Sequence, residues 1–152
     1  MPKQEFFDLM RENILLVDWL IDYMSNNISF AGYSKQHFRI LVLFSMIGKT
    51  TLKNFSKHTE IPTSNLCTIL KHLEGDGLIL NERDKVDRRN VWYSLTSEGE
   101  KAAKKIIKQF EIFLAKEFSQ IDEKEEARLT DASRTLNVMF KRIKNSYVQG
   151  NI

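Results

Sequence analysis

The sequence predicts a mainly α-helical protein with one small antiparallel β-hairpin, an α+β architecture. The first observation behind this prediction is a helical spacing of apolar residues over most of the 152-residue chain. The second is a pair of short apolar runs, residues 78–80 and 91–95, around the polar stretch 81–90. Apolar runs of this kind around a polar connection are typical of a hairpin. The connection is too long for a tight turn, so it should project from the body as a loop.

The composition is that of an ordinary globular protein, with 42% hydrophobic and 28% charged residues. A net charge of +3 permits DNA binding but does not by itself indicate it. The single cysteine, Cys67, excludes an intramolecular disulfide and a Cys-pair metal site. Asp18 and Asp22 interrupt the most apolar N-terminal stretch, which is too short and too charged to span a bilayer. We therefore expect a cytoplasmic protein without membrane contact.

The N-terminal half is predicted to contain four helices. The first covers residues 4–26, and its apolar face contains Phe6, Met10, Val17, Ile21 and Met24. Ser34 can cap a second helix that ends near Gly48. A short third helix over 52–58 and a turn at 59–61 lead to a fourth helix that opens at Pro62, a residue suited to the first helical position.

Two more helices are predicted after the hairpin. Thr96 or Ser97 caps the fifth, and Ser97 with Glu100 has the spacing of a capping box. The last covers about 123–147 and has a coiled-coil-like seam that needs a partner surface. The seam residues are Leu129, Ala132, Leu136, Met139, Phe140, Ile143 and Tyr147. We divide the chain into an N-terminal helix (1–33), a central region with the short helices and the hairpin (34–100) and C-terminal helices (101–152).

The fourth helix has an unusual polar face. Its buried side is predicted to contain Leu66, Ile69, Leu70 and Leu73. Ser64, Thr68, Lys71 and Gly75 lie opposite, flanked by Asn65 and His72 on one side and by Cys67 on the other. Short hydrogen-bonding side chains allow a helix to approach bases and phosphates closely. The alternative interpretation is a surface helix that happens to lack acidic residues.

The tip of the hairpin is strongly polar and ends in two arginines. It contains Asp84, Lys85, Asp87, Arg88, Arg89 and Asn90. Exposed arginines on a projecting loop are suited to a phosphate backbone or to a groove of DNA. Together with the preceding helix-turn-helix, this tip favours a nucleic-acid-binding protein.

Three short motifs at this spacing resemble the MarR family of winged-helix transcriptional regulators: LEGDGLI at 73–79, DRR at 87–89 and LTSEG at 95–99. The resemblance covers about residues 34–100 and implies that this region is a winged helix-turn-helix DNA-binding domain. It also assigns the helices of residues 1–33 and 101–152 to a dimerisation region. It implies a triangular homodimer in which the first and last helices form the interface. It also implies that two recognition helices enter successive major grooves, while Arg89 enters the minor groove and Asp87 orients Arg89 through a salt bridge.

By position, the residues that the resemblance turns toward an operator are Ser64, Asn65, Cys67, Thr68 and Lys71, with Arg88 and Arg89 of the wing. The family often has an arginine where this chain has Thr68, so base readout here is expected to differ. Thiol-based oxidation sensors of the family carry a cysteine near the first helix. This chain has none there, and peroxide sensing by that route is not expected; a redox effect at Cys67 stays open.

The resulting expectation is a sequence-specific regulator that binds an inverted repeat in double-stranded DNA as a homodimer. Repression is favoured over activation because a dimer that covers a promoter blocks polymerase without further contacts. Two alternatives stay open: a winged helix that docks on an acidic partner protein, and a ligand-binding dimer without DNA activity. No catalytic motif is found, so we expect neither an enzyme nor a cofactor.

Aromatic residues near the first two helices suggest a pocket for a phenolic or other amphipathic ligand. They are Trp19, Tyr23, Phe30, Tyr33, His37 and Phe38. The competing interpretation, that they are simply core and interface packing, is favoured. His37, His58 and His72 have no i, i+4 pair among them and no accompanying carboxylate cluster, so no metal site is predicted.

Overall fold

The computed structural model describes residues 2–27 and 33–149, and it confirms the predicted fold class. Helices dominate, and a three-stranded antiparallel sheet forms the only β-structure of these residues. In chain order the elements are α1 (Gln4–Asn27), α2 (Lys35–Ile47), β1 (Thr50–Thr51), α3 (Leu52–Thr59), α4 (Thr63–Gly75), β2 (Ile79–Arg83), β3 (Val91–Leu95), α5 (Ser97–Glu117) and α6 (Glu123–Gln149).

Side-chain caps fix the beginnings of three helices. Ser34 caps α2 in a reciprocal capping box, in which the Nδ1 atom of His37 accepts a hydrogen bond from the Ser34 N–H at 3.2 Å. Thr51 caps α3. Thr96, rather than Ser97, caps α5, because its Oγ1 accepts a hydrogen bond from the Gly99 N–H at 3.0 Å. The prediction for Pro62 was off by one residue, since α4 begins at Thr63 and Pro62 occupies the cap position.

The sheet has the strand order β1-β3-β2, so β3 lies in the middle. The hairpin register pairs Ile79 with Leu95 and Arg83 with Val91. The first strand therefore starts one residue later than the apolar run predicted and continues through polar residues to Arg83. The sequence analysis did not predict β1, whose two residues are too few to form an alternating pattern.

One hydrophobic core holds α2, α3, α4, α5 and the sheet together. Phe44 and Phe55 stack at its centre with ring centroids 4.2 Å apart. The buried cluster comprises Phe38, Ile40, Leu41, Phe44, Phe55, Leu66, Ile69, Leu70, Leu73, Ile79, Ala103 and Ile106. Its members all lie between residues 38 and 106, so this core belongs to the central part of the chain.

The end helices contribute little to this core. Met24 is the only buried residue among the described positions of α1, and α6 has none up to residue 147. Most of the predicted apolar face of α1 is therefore exposed in the single chain, as Val17 (54%) and Ile21 (43%) show. No helix among the described residues is long and apolar enough to cross a membrane.

Candidate nucleic-acid interface

A tight turn joins α3 to α4 and sets the angle between these two helices. Glu60 takes a left-handed conformation, with φ of 56°, and its N–H donates to the Ser56 carbonyl at 2.9 Å. The hydroxyl of the buried Thr59 donates to the Phe55 carbonyl at 3.0 Å and accepts from the Ile61 N–H at 3.2 Å. These bonds hold the helix-turn-helix in one geometry.

Helix α4 buries the face that the sequence predicts. Leu66, Leu70 and Leu73 are at most 1% exposed, and Ile69 is 8% exposed. The polar residues predicted to face DNA lie on the outside, where Ser64, Asn65, Thr68 and Lys71 are exposed and Cys67 is half-buried. The Thr68 hydroxyl donates to the Ser64 carbonyl at 3.2 Å, which leaves its lone pairs free to accept from a ligand.

Acidic charge is almost absent from α4. Glu74, in the last turn, is its one acidic residue, and Asn81 of β2 donates a hydrogen bond to it. The exposed surface of the earlier turns therefore presents hydroxyl and amide groups together with the cation of Lys71. A surface of this kind can approach a polyanion without electrostatic repulsion.

The wing, residues 79–95, is organised at its tip by the carboxylate of Asp84. Its Oδ1 atom accepts hydrogen bonds from the N–H groups of Val86 and Asp87, at 2.8 and 3.0 Å. Its Oδ2 atom accepts one from the indole Nε1 of Trp92, at 2.8 Å. The Trp92 bond, followed by the two backbone bonds, lowers the pKa of Asp84 below its ordinary value.

Arg89 projects from this tip with 95% of its side chain exposed. Its backbone N–H donates to Asp87 Oδ1 at 3.1 Å, and its Nε lies 3.6 Å from the same oxygen. The salt bridge that the family resemblance implied is therefore present in the unbound chain. An exposed pair of this type adds little to folding stability.

Lys49 pairs with Glu82 of the wing, close to the tip. The hydrogen bond from Lys49, together with its charge, lowers the pKa of Glu82. The sequence analysis missed this pair, because the two residues are 33 positions apart. It also placed Asp84 only generally at the tip, although an aspartate followed by N–H groups two and three residues later is a recognisable turn signal.

The predicted effector residues fall into two sets of ring contacts. Trp19 stacks on Tyr23 with centroids 5.4 Å apart, and Tyr23 lies 5.8 Å from Phe113 of α5. In the second set, the ring of Tyr33 lies 5.7 Å from that of His37. Phe38 belongs to the buried core, and Phe30 lies outside the described residues.

An open cleft of about 900 Å³ lies elsewhere, between α2, the α3–α4 turn and the end of α6. Its lining includes Arg39, Lys57 and Lys144, and none of the predicted effector residues lines it. The structure therefore does not bring the predicted effector residues together around this cleft.

Four polar side chains meet between the start of α2 and the end of α4: Tyr33, His37, His72 and Asp76. The rings of His37 and His72 are 5.0 Å apart. Asp76 lies 3.3 Å from His72 Nδ1 and accepts a hydrogen bond from the Tyr33 hydroxyl at 2.8 Å. Burial, and then the neighbouring His72, lower the pKa of His37, against an opposing effect of Asp76. Within the described residues, no group of three or more His, Cys, Asp or Glu side chains is placed to hold a metal ion.

Comparison with known proteins gives one family and several similar structures. The MarR family model matches residues 34–91, which run from the cap of α2 to the start of β3. The HTH-type transcriptional regulator YwhA of Bacillus subtilis is 37% identical over 68 residues, which are 45% of this chain and 49% of YwhA. The chain thus spans about half the length of that relative.

Two solved structures share the fold over nearly the whole chain. The transcriptional regulator BldR from Sulfolobus solfataricus has a TM-score of 0.73 at 22% identity, covering 93% of this chain and 99% of BldR. A MarR-family regulator from Listeria monocytogenes, solved in complex with a 26-mer DNA, has a TM-score of 0.68 at 20% identity. That match covers 94% of this chain and 95% of the Listeria protein.

Proposed function

Because the chain belongs to the MarR family of winged-helix transcriptional regulators, we propose that it binds an inverted repeat in duplex DNA as a symmetric homodimer. One observation carries the proposal: the acid-poor face of α4 and the arginine at the wing tip are exposed together on one domain. The regulators in this family are not enzymes. The DNA complex of the similar Listeria protein supports the same role for this fold.

Helix α4 is proposed to enter the major groove. Ser64, Asn65 and Thr68 are short enough to reach base edges, where hydroxyl and amide groups both donate and accept hydrogen bonds. Lys71 supplies a cation for a phosphate one turn further along the helix. Because Cys67 is half-buried, we assign it a supporting contact rather than direct base readout.

The wing is proposed to lie along the minor groove. Arg89, held by Asp87, would enter the groove, and the exposed Arg88 would contact the adjacent phosphates. In a twofold-symmetric dimer, the two recognition helices would lie about one turn of DNA apart, roughly 34 Å. A dimer in this position blocks polymerase by covering the promoter, which favours repression.

The test is footprinting of the purified protein on the DNA upstream of its own coding region, followed by affinity measurements on the protected fragment. We expect Arg89→Ala to weaken binding about tenfold, in the range of a lost specific arginine contact, and to reduce the salt dependence. Arg134→Ala is the matched control, because it removes an exposed arginine from α6. Equal affinities of wild type and Arg89→Ala would remove the wing from the interface.

The same measurements separate the alternatives. A protein that shows no preference for any palindromic fragment over random DNA near physiological salt would not be a sequence-specific regulator. Binding to an acidic protein in place of DNA would then identify an interaction module.

We also propose that an amphipathic aromatic ligand releases the protein from DNA by binding near α1 and α2. The aromatic groups around Trp19 with Tyr23, and around Tyr33 with His37, support a ligand with a flat apolar ring and a polar substituent. A ligand can shift the dimer away from its DNA-bound form only if it prefers the other form. If aromatic acids leave both the melting temperature and the operator affinity unchanged, this part of the proposal fails.

A further inference from the structure

We propose that Asp84 and Trp92 are positioning residues that fix the direction of Arg89 before DNA is bound. This inference rests on the proposed function, since it assigns a role in the same DNA contact. Neither residue touches the DNA in our account. Both act through the backbone of the wing tip.

The contacts form a continuous series from the sheet to the exposed arginine. Trp92 lies in the central strand β3, opposite Glu82 of β2, and its indole is half-buried. Its Nε1–H donates to Asp84, and Asp84 in turn accepts from the N–H of Asp87 at 3.0 Å. Asp87 then holds Arg89 through its Oδ1 atom. Each link therefore depends on the one nearer the sheet.

Backbone hydrogen bonds close the same loop. The Asp84 N–H donates to the Asn90 carbonyl, and the Asn90 N–H donates to the Asp87 carbonyl, both at 2.9 Å. Residues 85–90 are all exposed, and Val86 is 97% exposed, so hydrophobic burial does not hold this tip in place. Its conformation must come from these few hydrogen bonds, and Asp84 takes part in four of them.

The direction of the Asp84 carboxylate shows that it is a support and not a DNA contact. Three donors from the wing itself occupy its two oxygens. A carboxylate near phosphates would otherwise weaken binding by repulsion. Charge repulsion and positioning therefore predict opposite changes in DNA affinity when the Asp84 carboxylate is removed. Loss of a negative charge alone would tighten DNA binding, whereas loss of the support would weaken it.

The first experiment uses the full-length protein and its footprinted fragment. We expect Asp84→Ala to weaken DNA binding about three- to tenfold, the cost of ordering a loop side chain at an interface. Asp84→Asn should lie between Asp84→Ala and wild type, because an amide can replace only part of the three hydrogen bonds. Trp92→Phe, which keeps an aromatic ring but removes the donor, should weaken binding in the same direction.

Asp131→Ala is the matched control, since it removes an exposed aspartate from α6, far from the wing in the sequence. Unchanged or tighter DNA binding by Asp84→Ala would overturn the inference. A general loss of folding would also mimic weak binding, so the melting temperatures of Asp84→Ala and Asp131→Ala are compared.

A double-mutant cycle tests whether Asp84 acts through Arg89. If it does, Asp84→Ala should have little further effect on affinity once Arg89→Ala is present. An equal loss in both backgrounds would show that Asp84 acts independently of Arg89, and this would contradict the proposal. Destabilisation of the whole domain would also appear as an equal loss, so the cycle separates positioning from a general structural role.

The last measurement needs no DNA, and so it separates failure of this inference from failure of the proposed function. Trp19→Phe leaves Trp92 as the only tryptophan of the chain. In this background, Asp84→Ala should shift the Trp92 emission, and the amide protons of Val86 and Asp87 should exchange faster. Unchanged exchange at these amides would overturn the inference even if the protein binds DNA as proposed.

Discussion

His37 combines two roles at the start of α2. Its Nδ1 accepts from the Ser34 N–H and completes the capping box, which requires a ring nitrogen with a free lone pair. The ring also faces His72, only 5.0 Å away, and burial with this neighbour lowers the pKa of His37. Both contacts therefore favour the neutral ring. Protonation would remove the cap acceptor and place two cations side by side if His72 were also charged.

The first prediction concerns stability as a function of pH. The pKa of His37 is lower in the folded chain than its unfolded value of about 6.5, so the unfolded state binds the proton more readily. The free energy of unfolding should consequently fall as the pH drops through about 6.5. His37→Gln should reduce this loss, because glutamine at the same position can still complete the cap. Urea denaturation of both proteins on either side of that pH measures the difference.

Two further groups lie near the His37 ring: the Asp76 carboxylate and the Tyr33 hydroxyl, which donates a hydrogen bond to Asp76. The charge of Asp76 partly opposes the lowering of the pKa of His37. A pH dependence as steep in His37→Gln as in wild type would assign the titration to groups other than His37.

At the scale of elements, the junction between the wing and α5 explains the LTSEG motif. Thr96 donates its hydroxyl hydrogen to the Gly77 carbonyl at 2.6 Å, and its N–H donates to the Leu78 carbonyl at 3.0 Å. Its Oγ1 also caps α5. Gly99 lies in the first turn of that helix, where an added Cβ would come within 1.9 Å of the Leu78 carbonyl oxygen. The absence of a side chain at Gly99 therefore allows α5 to pack directly against the backbone of Leu78, just before β2.

The second prediction follows from this close approach. Gly99→Ala should lower the free energy of unfolding by about 2 kcal/mol or more, because the methyl group would meet rigid backbone rather than a mobile side chain. Gly75→Ala is the control, since nothing lies within 4 Å of the Cβ it would add. That variant should be stabilised by up to about 1 kcal/mol. Thermal or urea denaturation provides both values, and equal stabilities would contradict the packing argument.

At the scale of the whole molecule, the single chain exposes more surface than a compact monomer of its mass does. Its accessible area is 11764 Å², whereas a compact monomer of this mass has about 8,000 Å². Much of the exposed apolar surface lies on the end helices, as Leu16 (55%), Trp19 (60%) and Ile143 (50%) show. The excess of one chain is larger than the share that one protomer buries in most obligate dimers, in which the two chains together bury roughly 2,000–5,000 Å².

The third prediction is therefore a dimer in solution that a charge in the α6 seam disrupts. Phe140 is 47% exposed in the single chain, so Phe140→Glu should leave the central domain folded. The buried charge should weaken association, because an unpaired carboxylate is costly in an apolar interface. Asn145→Glu, on the opposite side of α6, is the control. Sedimentation measures the mass, and a wild-type protein with the mass of one chain would contradict the proposed assembly.

The sequence was most informative where a local pattern decides the structure. The buried face of α4 follows directly from the spacing of Leu66, Ile69, Leu70 and Leu73, and all four are buried. The hairpin and the caps at Ser34 and Thr96 also depend on neighbouring residues. The DNA contacts assigned to this helix and to the wing stay predictions until they are measured.

Long-range contacts were beyond the reach of the sequence. His37 and His72 meet because α2 and α4 pack together, and neither residue has a spacing signal along the chain. Likewise, β1 forms only because β3 offers a free edge to Thr50 and Thr51. The resemblance indicated that Arg89 is held by Asp87, but Trp92 as the anchor of Asp84 emerged only from the fold.

The central core is self-contained, whereas the two end helices are poorly buried. The concentration of the chain should therefore affect its activity. On the proposed assembly, α1 and α6 gain most of their stability from a second chain, so dilution should melt them before the central domain. An isolated chain would keep both DNA-reading elements but lose the fixed distance between two copies. Below a threshold chain concentration, the central domains would still be folded, but they would not be held in pairs and would not occupy the two half-sites of an operator together.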